Sequence, residues 1–324
     1  MVDPGAHLQH TTQMQLQGLH HVTMITGDAS RNVEFYADVL GLRFVKKTVN
    51  FDAPTVYHLY FGDEIGSPGS VLTWFEYPGA VRGRAGPGMI HTLRLAVGSE
   101  EALAFWEDRL RAHGYAPARS GEALRCEDFE GLALELAVST VDPPLMAAHP
   151  AIPPEHAIEG VSGARAYSAA PGSEESMLVG PLGFTRTGEG AYRLDGEQRR
   201  FEWAQEPGPA GPGRLGAGTV HHIAWGSRDE DHVAWQTRLR DTGAEVTDVR
   251  DRDYFQSIYF FEPGGVRFEI ATLSPGFTRD EAADRLGEEL RLPAMHEHLR
   301  GQLEQSLTPL ENPRAAQRAR AAGR

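Results

Sequence analysis

Cysteine is almost missing from this chain of 324 residues, with Cys126 standing alone. That excludes an intrachain disulfide and any zinc site built from several thiolates. It also points to a reducing compartment, so the cytoplasm is the expected location. Positive charge is scarce as well. Lys and Arg number 31 against 45 Asp and Glu, a net charge of −14, which argues against nucleic acid or an anionic membrane as the main partner. No apolar run approaches the ~20 residues that span a bilayer, and Met1 to Thr12 lacks the basic-then-apolar order of a signal peptide. Despite 36 glycines there is no Gly-Lys-Ser/Thr phosphate loop, and no nucleophile elbow or paired-carboxylate hydrolase motif is evident. What remains is an ordinary soluble composition, 40% hydrophobic and 23% charged, long enough for two domains with ample core.

Two histidine doublets stand out in what is present. Gly18-Leu19-His20-His21-Val22-Thr23 and Thr219-Val220-His221-His222-Ile223-Ala224 each open a run of strand-forming residues. A third segment, Gly264-Gly265-Val266-Arg267-Phe268-Glu269-Ile270, lodges a glutamate in another apolar strand. Alternate side chains of a strand share a face. His21, Thr23 and Ile25 therefore oppose His20, Val22 and Met24, while His222 and Ala224 oppose His221, Ile223 and Trp225. A carboxylate on such a face is costly to bury unless a cation meets it. Glu269 could pair with Arg252 or Arg267, leaving the histidines as packing residues. Two imidazoles and a carboxylate around a divalent metal would solve the burial equally well.

The chain also repeats itself. Four helix-period segments follow short strands and stop at a glycine: Asp28 to Leu40 before Gly41, Ser99 onward to Gly114, Ser173 to Leu182 before Gly183, and Asp229 to Thr242 before Gly243. Extended stretches follow each, among them Val246 to Val249 in the last unit. The units are read as modules at residues 15–84, 85–141, 159–206 and 218–276. A Pro-rich linker occupies 142–158 and a Gly/Pro linker 207–217. Residues 277–311 are expected as a helical segment, and 1–14 and 312–324 as disordered tails. His21, His91 and His222 each sit in the first strand of a unit, and Glu76, Glu135, Glu202 and Glu269 in a last strand. This regularity suggests a duplicated metal-binding module. His58 is expected as a hydrogen-bonded strand histidine. His296 and His298 lie at i, i+2 on an expected C-terminal helix, where they do not face together.

The modular pattern resembles the vicinal oxygen chelate superfamily of glyoxalase I, extradiol dioxygenases and fosfomycin-resistance proteins. Within it, the chain is most similar to the hydroquinone-type ring-cleaving dioxygenases. The matching stretches are the two doublets, Tyr57-His58-Leu59-Tyr60-Phe61-Gly62-Asp63-Glu64, Asp251-Arg252-Asp253-Tyr254-Phe255 with Ser257-Ile258-Tyr259, and Pro263-Gly264-Gly265-Val266 with Phe268-Glu269. The resemblance implies an α+β fold of four βαβββ modules forming two open, cup-like mixed β-sheet barrels with helices outside. It implies His21, His222 and Glu269 as Fe(II) ligands, with Mn(II) also compatible, and His20, Thr23, His221, Arg252 and Tyr259 beside the site. A small aromatic substrate and O2 would be the partners, and a homo-oligomer is left open. Ligands at 21, 222 and 269 require module 1 to pair with module 4, and modules 2 and 3 to form a second cup. That cup, with His91, Glu135 and Glu202, is read as vestigial. Two other readings stay open: a glyoxalase-like lyase or isomerase with Zn(II) or Ni(II), and a non-catalytic protein that sequesters an aromatic compound.

Overall fold

Val, Ile and aromatic residues recur along most of the chain with the two-residue period of half-buried strands, and strands dominate the structure. The computed structural model describes residues 14–139, 143–197 and 199–322; the expected N-terminal tail, apart from residue 14, lies outside them. The chain begins with β1 (Leu19–Thr26), α1 (Ala29–Val33), β2 (Arg43–Asn50), β3 (Ala53–Gly62) and β4 (Val71–Glu76). It continues with β5 (Met89–Val97), α2 (Glu100–Ala112), β6 (Ala118–Ser120), β7 (Ala123–Glu127) and β8 (Ala133–Val138). Next come β9 (Ile158–Ser168), α3 (Glu175–Val179), β10 (Thr185–Gly188), β11 (Ala191–Asp195) and β12 (Arg200–Pro207). The last such set is β13 (Thr219–Ser227), α4 (His232–Asp241), β14 (Arg250–Asp251), β15 (Gln256–Phe261) and β16 (Arg267–Thr272), before α5 (Arg300–Ser306) and α6 (Pro313–Ala322).

The strands form two eight-stranded sheets of matching order, β14-β15-β16-β13-β1-β4-β3-β2 and β10-β11-β12-β9-β5-β8-β7-β6. At the centre of the first, β1 runs antiparallel to β13, and each is flanked by a parallel partner, β4 and β16. The fold class is therefore α+β, with two curled mixed sheets and few helices. The two sheets meet through buried aromatics. Trp225, on the back of β13, packs at ring-centroid distances of 5.2 Å from Phe184, 5.2 Å from Phe201 and 5.3 Å from Phe268. No helix among the described residues is long and apolar enough to cross a membrane.

Several elements differ from expectation for visible reasons. The first helix starts as expected, with the Asp28 side chain accepting from the Arg31 N–H, but widens to a π-helical turn at Glu34–Val39. The third is a stub of five residues. Val246 to Val249 is not a strand, because Thr247 offers its hydroxyl oxygen, rather than its carbonyl, to the Tyr259 N–H at 3.0 Å. The Thr247 carbonyl is taken by the Gln236 amide at 2.7 Å. The expected C-terminal tail at 312–324 instead carries α6. The Asn312 side chain caps it through the Arg314 N–H at 3.0 Å, Pro313 opens it, and Arg314 pairs with Glu64 at 2.6 Å. His296 sits in a 3-10 turn at Ala294–Leu299 and bonds to the Phe51 carbonyl at 2.9 Å.

Candidate metal centre

Directly opposed residues of paired strands share a face, and the register of the first sheet gathers one polar set on its concave side. His21 lies opposite Ala224, Thr23 opposite His222, Ala224 opposite Glu269, and Glu269 opposite Tyr259. Donor atoms of His21, His222 and Glu269 fall within 4.8 Å of one another, and all three residues are buried. Glu269 Oε2 lies 3.4 Å from His21 Nε2 and 2.9 Å from His222 Nε2. Among the described residues only these two ring nitrogens face this buried oxygen, and His222 Nε2 can donate to it only while it carries the ring proton. Glu269 Oε1 accepts from the Ser257 hydroxyl. A buried carboxylate met by so few donors is expensive. Two imidazole nitrogens converge beside it, and a divalent cation bound by all three would remove the penalty. The residues fit a metal.

Strand alternation fails at both doublets. The β1–β13 register passes from Leu19–Trp225 to His21–Ala224 and from Thr23–His222 to Met24–Val220, which leaves His20 and His221 unopposed. Each is the extra residue of a β-bulge, a device that re-aims side chains next to active sites. Instead of pointing away, His20 Nδ1 meets His21 Nδ1 at 2.9 Å and His221 Nδ1 meets His222 Nδ1 at 2.7 Å.

The partners of the bulged histidines set proton positions. His20 Nε2 lies 3.1 Å from the Thr272 carbonyl, which can only accept, so that nitrogen carries the hydrogen. Neutral His20 then accepts at Nδ1 from His21 Nδ1–H, leaving the His21 Nε2 lone pair free for a cation. In the second doublet Arg267 Nη1, a donor, stands 3.4 Å from His221 Nε2. That contact favours the opposite order, with a proton on His222 Nε2, but it is long and His221 borders a cavity. His21 is thus already in the tautomer that could ligate a cation, whereas His222 would have to change its own to do so.

Burial holds the imidazoles neutral. It lowers His20 and His221 to about 3 and His222 to about 4, helped in each case by a neighbouring imidazole. Burial alone would raise Glu269, but His21 and His222 outweigh it and hold its carboxyl well below the usual range. The unfolded chain binds protons at these histidines below about pH 6.5, while the folded chain does not until pH 4 or 3. Stability of the metal-free protein should therefore be complete above about pH 6.5 and fall on acidification, as the unfolded chain takes up protons at these histidines that the folded chain does not. Denaturant melts at pH 7 and pH 5 measure this, and equal midpoints would contradict it.

A cavity of about 340 Å³ opens beside the cluster, with Phe75, His58, Tyr60, Arg252, Phe255 and Tyr259 in its wall. Arg252 Nε lies 3.4 Å from the Tyr259 hydroxyl, and Arg252 Nη2 lies 3.2 Å from Asp52. Burial and the nearby Glu269 push the Tyr259 hydroxyl well up, so it stays protonated and able to donate. Thr23 shares a hydrogen bond of 2.9 Å with Thr73, which in turn meets His58 Nε2 at 2.9 Å. All eight expected site residues thus come together. Ser257 and the cavity-lining Phe75 and Phe255 were not singled out as site residues; Ser257 could have been, since it shares the strand face of Tyr259 two residues on.

The second sheet corrects the expected correspondence. Its β5–β9 register passes from Ile90–Ala166 to Thr92–Arg165, so His91 is the bulged residue and matches His20, not a ligand. Counting from that bulge, Glu135 stands where Thr73 stands, and Glu202 where Arg267 stands. The ligand positions themselves hold Thr92, Gly163 and Ala204.

The model of the Glyoxalase/Bleomycin resistance protein/Dioxygenase superfamily matches residues 18–123 and 180–270. The chain is 41% identical over 307 residues to a Bacillus subtilis (strain 168) protein named "Putative ring-cleaving dioxygenase MhqO", spanning 91% of this chain and 96% of that one. It is 32% identical over 320 residues to chlorohydroquinone/hydroquinone 1,2-dioxygenase of Sphingobium indicum, spanning 89% and 95%. A solved structure from Bacillus subtilis superposes with a TM-score of 0.85 at 40% identity, covering 92% of this chain and 98% of that one. Maize glyoxalase I, at 13% identity and a TM-score of 0.57 over 79% of this chain and 92% of its own, shares the fold. By family match, extent and identity, this chain belongs to the glyoxalase/bleomycin resistance protein/dioxygenase superfamily.

Proposed function

We propose that the chain is a non-haem Fe(II)-dependent dioxygenase that cleaves a hydroquinone-type ring with O2. The observation that carries this reading is the buried Glu269 Oε2 facing two converging imidazole nitrogens on the wall of a cavity. Two histidines and one carboxylate on one face of an ion leave open positions, the ligand set of Fe(II) oxygenases. Such an ion would bring an aromatic hydroxyl and dioxygen together and pass electron density between them. The names of the relatives favour ring cleavage over the lyase chemistry that the same fold supports.

The chain's own residues then have defined work. Phe75 and Phe255 give the ring apolar walls. Arg252 offsets the negative charge of a deprotonated aromatic hydroxyl, and Tyr259, kept protonated, donates a hydrogen bond to it. His221, neutral and open to the cavity, offers a hydrogen-bond acceptor to the substrate hydroxyl. His20 holds His21 in the ligating tautomer from behind.

Anaerobic purification followed by metal analysis and oxygen uptake tests the reading. Stoichiometric iron, with oxygen consumed on adding hydroquinone in preference to catechol, is the expected result. Zinc with thiol-adduct turnover and no oxygen uptake would replace it with a lyase. Tight binding of hydroquinone without turnover under any metal would leave only sequestration.

A further inference from the structure

The second cup has lost the ligand set and acquired arginine. Register counted from the His91 bulge places Thr92, Gly163 and Ala204 at the positions of His21, His222 and Glu269. All three line a cavity of about 340 Å³ on the concave face of the second sheet. Small side chains open the space that the three ligand side chains fill in the first cup. The same count places Arg94 where Thr23 stands and Arg165 where Ala224 stands, so two guanidiniums enter the wall.

Charge balance in this wall runs against that of the whole chain. Arg94, Arg165, Arg193 and Arg200 line it with Glu135 and Glu202, in a protein of net charge −14; Asp195 pairs with Arg193 at 2.7 Å and Arg200 at 3.1 Å, so the excess rests on Arg94 and Arg165. Glu135 is buried and already held by Arg125, whose Nε lies 2.7 Å from its Oε1. Its other oxygen is shared by Arg94 at 3.4 Å and Arg165 at 3.6 Å. Arg94 also bonds to Glu202 at 2.8 Å. Arg165 has no charged partner closer than that 3.6 Å contact among the described residues, and its side chain lines the cavity and is 37% exposed. An arginine fork with spare donors beside an open space is built to take a planar oxyanion.

We infer that the second cup binds a small organic carboxylate, with Arg165 as the principal clamp and Arg94 beside it. Ala191 and Ala204 offer apolar floor for a short carbon chain, and the cavity volume exceeds what a bare ion would fill. A fully compensated ion-pair network would need no such opening. The site is independent of the metal chemistry proposed for the first cup.

Isothermal titration of the full-length, metal-loaded protein with succinate, glutarate and inorganic phosphate at constant chloride tests this. Saturable binding of succinate or glutarate is expected, weakened tenfold or more in Arg165→Ala. Ala204→Leu, which shrinks the cavity without touching a charge, should weaken it too. Binding should persist in His222→Ala, where the first cup is disabled. Absence of saturable carboxylate binding by the unmodified protein overturns the inference. So does binding that survives Arg165→Ala undiminished, loss of binding in His222→Ala, or saturation by phosphate alone.

Discussion

Glu269→Ala is expected to strip the protein of metal and lower turnover by roughly a thousandfold or more, while the chain stays folded. The argument for lost metal is electrostatic. Glu269 carries the only carboxylate of the cluster and is fully buried, so without it a divalent ion would face two neutral imidazoles with no protein charge to balance its own. The argument for retained folding is that the side chain is one of many in a large buried core, and that its removal relieves a buried charge. The loss comprises the hydrogen bond with Ser257, the contacts with His21 and His222, and the packing of a few methylenes. His222→Ala should behave alike, whereas His91→Ala, which alters the bulged residue of the second cup, should leave metal content alone. Metal analysis, oxygen uptake and a thermal melt on the same preparations decide the matter. Stoichiometric iron in a folded Glu269→Ala protein would sink the ligand assignment.

The same cluster shows what could be read from residues alone and what could not. Strand propensity and doublet spacing brought attention to His21, His222 and Glu269, which the structure gathers, and distance along the chain required its first and last units to share a sheet. The resemblance placed His20 and His221 beside the site, but alternation turned them to the opposite face, because alternation holds only while strands pair residue for residue. A bulge adds one residue, turns its side chain, and leaves no mark in composition. The same blindness misassigned the second cup. Counted along the sequence, His91 looks like His21; counted along the hydrogen-bonded ladder, it matches His20, and the shift exposes the arginine-lined cavity. Capping chemistry explains the other miss. Residues 312–324 look like a charged tail, yet Asn312 before Pro313 is a helix start, and Glu64, distant in sequence, waits for Arg314. Tertiary partners of that kind are not local signals.

Trp225→Ala is the change outside the cluster expected to cost most. A buried Trp-to-Ala truncation costs roughly 3–5 kcal/mol, and this one lies where two sheets meet. Its indole is fully buried among Phe184, Phe201, Trp203 and Phe268, so residues from both sheets would line the void. Edge-to-face geometry throughout that group adds to the loss, since such pairs contribute beyond their buried area. The indole N–H has no acceptor, so deletion removes packing and no hydrogen bond. The consequence should reach the metal. Trp225 stands on the back of β13, three residues beyond His222 and across the strand from it, and is opposed by Leu19 just before the His20 bulge. Slack behind β13 moves His222 relative to Glu269 on β16 and weakens the bulged contacts that orient both imidazoles. Metal affinity should therefore fall along with the melting temperature. Trp225→Phe should restore most of the stability and the metal together, because a smaller aromatic keeps the stack. A denaturant series with metal analysis on the two variants tests the coupling. If Trp225→Ala lost stability but kept wild-type metal affinity, the back of β13 would be separate from the site it carries.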